Sequence, residues 1–146
     1  MQYWNRRAFA AAVVMAAFAA PAAWAAPQNF SVQMTGHDEV PPNDSKGTGT
    51  AQLTYDPASR ALTWNVTYSG LTGPATAAHF HGPAAPGSNA GVTIPIGGKD
   101  MSSPATGHAT LTEAQANDFT AGRWYVNVHT AAHPGGEIRG QINPPH

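Results

Sequence analysis

The chain has 146 residues, with seven Lys and Arg against eight Asp and Glu, a formal charge of −1 and no cysteine. That excludes a disulfide framework and any thiolate metal site, and the few scattered basic residues leave no electrostatic footprint for nucleic acid. The compositional oddity that remains is seven histidines, all of them from His37 onward.

The first residues read as an export signal. Arg6-Arg7 precede an unbroken apolar, Ala-rich run from Ala8 to about Ala20, and Ala23-Trp24-Ala25 supplies the small-x-small pattern of a signal peptidase site. This predicts a removable signal peptide over residues 1–25 and a mature domain over 26–146. The run is shorter than the roughly 20 residues a spanning helix needs, and Pro21 interrupts it, so no membrane span is expected in the mature protein. Asn5-Arg6-Arg7-Ala8-Phe9 also fits the twin-arginine pattern. The expected destination is the periplasm or the exterior.

After the leader, short alternating runs are bounded by Gly, Pro, Asn and Asp, which is the pattern of an all-β domain. Phe30, Val32 and Met34 alternate first, and a polar loop from Gly36 to Gly49 follows. Ala51, Leu53 and Tyr55 then lead through the Asp56–Arg60 turn into Leu62, Trp64, Val66 and Tyr68, a hairpin. Ala77 to His81 is the next strand, Gly82 to Gly91 an irregular loop, and Val92 to Ile96 a short run that Pro95 places at a sheet edge or bulge. Gly97-Gly98-Lys99-Asp100 is a turn and Ala105 to Leu111 another strand. Thr112 and Gln115 make a capping arrangement for one short helix to about Phe119, which Gly122 ends. Trp124–Thr130 and Glu137–Ile142 are the last strands, with Ile138 and Ile142 inward and Glu137, Arg139 and Gln141 outward. About eight strands and one helix predict a Greek-key sandwich or flattened barrel.

Alternation also sorts the histidines. In Ala77-Ala78-His79-Phe80-His81 the two imidazoles share one face and Ala78 and Phe80 the other. In Trp124–Thr130, Trp124, Val126 and Val128 form an apolar stripe, leaving Tyr125, Asn127 and His129 opposite. If these strands are neighbours, His79, His81 and His129 converge on one patch, reachable by one ion at the usual metal–nitrogen distance of about 2 Å. Without thiols such a site is imidazole-rich. That suits copper first, zinc as the alternative, and excludes a blue-copper centre. His133 and His37 are further ligand candidates, whereas His108 has no evident partner and His146 lies in a Pro-rich tail. Glu137 and Arg139 read either as cross-strand partners or as groups orienting a ligand imidazole. Glu39, Tyr125 and Asn127 are candidates for the same supporting role.

Taken together, Glu39-Val40-Pro41-Pro42, His79-Phe80-His81-Gly82-Pro83-Ala84, and Tyr125–Thr130 followed by Pro134-Gly135-Gly136-Glu137-Ile138-Arg139-Gly140-Gln141-Ile142 resemble the CHRD family. This is the chordin-like domain, also found alone in exported bacterial proteins. The resemblance covers essentially the whole mature chain and implies a β-sandwich-like domain. The chain departs from it at His133, where Asn is common, and at His37, where a non-histidine is usual. A distant likeness to copper,zinc superoxide dismutase lies in the His-x-His strand, although the zinc-loop ligands of those enzymes have no counterpart here. Three functions are then expected to compete. One is an exported copper-binding module for handling or delivery, with a copper-handling protein or a second copy as partner. Another is a copper enzyme of superoxide dismutase type, and the third is a structural or adhesive β-domain without metal.

Overall fold

The computed structural model describes residues 26–98 and 101–145. The expected signal peptide, the Lys99-Asp100 part of a turn and His146 lie outside the described residues. Eight strands form where alternation predicts them: β1 (Gln28–Thr35), β2 (Thr48–Asp56), β3 (Ala61–Ser69), β4 (Ala75–His81), β5 (Val92–Gly97), β6 (Ala105–Thr110), β7 (Trp124–Thr130) and β8 (Ile138–Ile142). The one helix, α1 (Glu113–Thr120), carries the full capping box between Thr112 and Gln115. Gly122 follows it at a φ of 70°, the left-handed conformation a helix stop favours. No described helix is long and apolar enough to cross a membrane.

All eight strands join one antiparallel sheet in the order β5-β4-β7-β8-β1-β2-β3-β6. The end strands β5 and β6 approach each other, so the sheet curls into a nearly closed barrel. β1 pairs with β8, β3 with β6 and β4 with β7. These long-range pairings are the expected Greek-key crossings. β5 is an edge strand of the sheet, and its pairing slips register beside Pro95, as a residue without an N–H requires.

The β2–β3 hairpin shows how the pattern fixes register. Ala51, Leu53 and Tyr55 oppose Val66, Trp64 and Leu62, all buried, and a one-residue slip would turn every one of them to solvent. Asp56 holds the turn by accepting from the Ala58 amide and the Ser59 hydroxyl. The barrel interior is filled from every side by Met34, Leu53, Leu62, Val66, Phe80, Val126, Val128, Ile138 and Ile142. Trp64 stands edge-on to Phe80 with centroids 5.2 Å apart. From α1, Phe119 inserts against Tyr55 and Trp124 at 5.0 and 5.6 Å.

The structure buries two side chains that alternation points to solvent. Alternation places Glu137, Arg139 and Gln141 outside, but only Gln141 keeps partial exposure; Glu137 and Arg139 are 0% and 2% exposed. β7 is buried along its whole length, polar residues included. Loops cover that face as a second layer. Arg139 donates to the Asn89 side chain and the Ser88 carbonyl, and Gln141 to the Ala84 carbonyl. Asn89 reaches across to the Val40 carbonyl. Glu137 and Arg139 do not pair with each other. The Glu137 carboxylate instead accepts from Ser45, from Thr130 and twice from Thr72.

Candidate metal centre

The register of β4 against β7 sets His79 opposite Asn127, His81 opposite Tyr125, and Ala77 opposite His129. His129 therefore lies diagonal to His79, within side-chain reach on the same face. His79 Nδ1 and His129 Nε2 are 3.1 Å apart. One ring nitrogen from each of His79, His81 and His129 falls within 4.8 Å of the others, and no other group of this kind occurs among the described residues. His79 is half-buried; His81 and His129 are buried.

Main-chain carbonyls and one amide hold these rings. His129 Nδ1 is 3.0 Å from the Pro134 carbonyl. A carbonyl only accepts, so Nδ1 carries the proton and Nε2 is left with its lone pair toward His79. His81 Nδ1 is 3.1 Å from the Ala90 carbonyl, and its Nε2 is 3.0 Å from Asn127 Oδ1. The Asn127 NH₂ faces Glu39 Oε1 at 3.4 Å and the Gly135 carbonyl at 3.5 Å.

Gly136 makes room for this arrangement. Its φ is +133°, and a Cβ there would collide with Glu39 Oε1 and Asn127 Nδ2. A Gly136→Ala variant is expected to lose about 2–3 kcal/mol from backbone strain and the displaced pair, read as an earlier urea midpoint.

The electrostatics keep the rings neutral. Burial, then the neighbouring His129 and His81 rings, pull His79 down to about 4. His81 and His129 are also lowered, chiefly by burial, against the opposing pull of their hydrogen bonds. Neutral imidazoles are the form that binds metal. Glu39 is raised by burial, with Arg139 opposing.

A column of planar groups backs the site. The His81 ring stacks on Tyr125 at 4.7 Å with an interplanar angle of 1°, and the Arg139 guanidinium lies 3.5 Å from the centre of the Tyr125 ring. Tyr125 Oη contacts both the amide and the carbonyl of Ala90. Arg139 and Tyr125 thus fasten the 82–91 loop, whose Ala90 carbonyl holds His81.

His133 sits half-buried in the β7–β8 turn, where its main chain bonds to Thr130, and it lines a cleft with Glu39 and Pro134. His37 is exposed in a short turn at Gly36–Asp38, and His108 is exposed on β6. None of these belongs to the three-histidine group. Glu137 hydrogen-bonds to no histidine side chain, and Arg139 acts through Tyr125 rather than by orienting a ring directly. The carbonyls of Ala90 and Pro134 carry no sequence signal, because every residue has one.

Residues 30–142 match the CHRD domain, a span that runs from within β1 to the last residue of β8. No curated protein and no solved structure matches the chain. With the domain covering most of its length and reaching every strand, and with the His-Phe-His and Tyr-Val-Asn-Val-His elements paired side by side, the chain belongs to the CHRD family.

Proposed function

We propose that this CHRD protein is an exported metal-binding protein that takes up copper through His79, His81 and His129, in copper handling or delivery in the periplasm or outside the cell. The observation that carries this reading is the 3.1 Å separation of His79 Nδ1 and His129 Nε2. Two nitrogens at that spacing subtend about 100° at an ion roughly 2.0–2.1 Å from each. Pro134 commits the other His129 nitrogen, the outer arrangement typical of ligand histidines. Copper is favoured over zinc because an imidazole set without thiolate binds Cu²⁺ most tightly among the divalent first-row metals. A copper-handling protein or a second copy of the chain is the expected partner, and His133 and His37, which lie outside the three-histidine group, are the further ligand candidates.

Titration of the metal-free chain with Cu²⁺ tests the reading. The wild type is expected to take one ion per chain, and a His79→Ala/His81→Ala/His129→Ala variant to lose that binding. Equal binding by both would refute it. Elemental analysis of untagged protein from its native compartment then identifies the metal.

The half-burial of His79 beside two buried ligands leaves one side of the site open, which favours a second reading: a copper enzyme acting on superoxide or another small oxidant. Turnover no faster than free Cu²⁺ would remove it. A purely structural β-domain instead predicts that chelators leave the melting temperature unchanged, because only a ligand of the native state raises it.

A further inference from the structure

We infer that the side-chain oxygen of Asn127 is a fourth donor at this centre, completing a set of three imidazole nitrogens and one amide oxygen; the inference rests on the metal-binding reading above. The Asn127 NH₂ faces the Glu39 carboxylate at 3.4 Å and the Gly135 carbonyl at 3.5 Å, an orientation that leaves its oxygen toward His81. The Ala90 carbonyl can only accept, so His81 Nδ1 carries the ring proton. His81 Nε2 and Asn127 Oδ1 then face each other across 3.0 Å as two lone pairs with no hydrogen between them.

With Glu39 ionised, rearranging the protons moves this conflict rather than removing it. Flipping the amide turns its oxygen onto Glu39 and Gly135. The other tautomer of His81 turns a lone pair onto Ala90. A doubly protonated ring would satisfy both ends, but it would place a buried charge in the field of the Arg139 guanidinium stacked beyond Tyr125. A cation that accepts both lone pairs resolves all three at once.

The spacing also bears on which cation. Donor pairs 3.0 and 3.1 Å apart, each held about 2.0–2.1 Å from one ion, subtend about 95–100°. That lies within the range of a tetragonal N,O set, which Cu²⁺ accepts. Asn127 thus adds to the count of ligands and agrees with the choice of copper. Glu39 and Gly136 become its supports, one holding the amide's orientation and the other leaving room for both side chains.

Copper sulfate titration and electron paramagnetic resonance of the full chain test the inference. Asn127→Leu, similar in volume but without a donor, is expected to raise the Cu²⁺ Kd at least about tenfold and to change the copper spectrum. A double variant, Asn127→Asp with Glu39→Gln, restores an oxygen at the same place; it is expected to recover wild-type affinity or better with a spectrum of its own. A Kd and spectrum equal to wild type in Asn127→Leu overturn the fourth donor. Should that variant fail to fold, an unchanged spectrum in the double variant overturns it equally. If the wild type itself binds no better than the triple-histidine variant, the metal-binding reading fails and takes this inference with it. Binding lost in the triple variant but intact in Asn127→Leu sinks only the fourth donor.

Discussion

A Glu137→Ala variant is expected to lose about 3–5 kcal/mol of unfolding free energy, because it orphans several buried donors at once. The Glu137 carboxylate accepts from Ser45 Oγ at 2.6 Å, the Thr72 amide at 2.8 Å, Thr72 Oγ1 at 2.7 Å and Thr130 Oγ1 at 2.5 Å. Its own carbonyl accepts from the Asn43 side chain at 3.1 Å. One side chain thereby ties the loop before β2, the β3–β4 connection and the end of β7 to the start of β8. Burial alone would disfavour its charge, but the hydrogen bonds from Ser45, Thr130 and Thr72 outweigh that and hold it at about 2. The pH consequence follows from the sign. With the folded value below the ordinary 4.5, the stabilisation is complete above that pH and drains away as pH falls toward about 2. Urea midpoints of metal-free wild type and Glu137→Gln, compared from pH 7 to 2.5, should converge over that window. Parallel curves would show that the carboxylate's charge contributes nothing.

How much of this was legible in the sequence depends on which forces wrote the pattern. Strand positions come from inward burial, so Leu62, Trp64 and Val66, or Ile138 and Ile142, announce themselves by alternation. The shared face of His79 and His81 is equally legible, being a property of one strand. That His129 sits diagonal to His79 depends on the pairing of β4 with β7, which links strands distant in the chain and follows from no local pattern. The covering layer was hidden for another reason. The Pro- and Gly-rich 82–91 loop has no periodicity, so nothing in it says that it lands on Tyr125 and Arg139. One signal was available: the outward face of β7 is Tyr125, Asn127 and His129, with no Lys, Glu or Asp. A solvated strand face would ordinarily carry some, and their absence marks a surface that is covered.

If the proposed copper site is correct, the metal is expected to stay bound well below the pH at which an exposed histidine site releases it. Three ordinary imidazoles compete with protons from about pH 6.5 downward, so such a site weakens by up to about a thousandfold per pH unit. Here His79 is held at about 4 by burial and by its neighbours His129 and His81, and burial lowers His81 and His129 as well. His79 therefore remains neutral, and open to a metal, through the upper part of that range, and the other two rings shift in the same direction. The same shifts work against the metal-free fold. A histidine lowered on folding binds its proton more readily in the unfolded chain, so stability holds above the ordinary 6.5 and falls as pH drops toward about 4. Equilibrium dialysis of the copper-loaded chain from pH 7 to 3.5, with elemental analysis at each step, should show retention at pH 5.5. Half the metal lost by pH 6 would mean the site is wetter and looser than this geometry allows. Melting temperatures taken alongside separate the two acid effects. The metal-free chain should soften first between about pH 6.5 and 4, a step that bound copper suppresses because it stabilises only the native state. The later loss below about 4.5 should survive copper and shrink in Glu137→Gln, since that carboxylate hydrogen-bonds to none of the three histidine side chains.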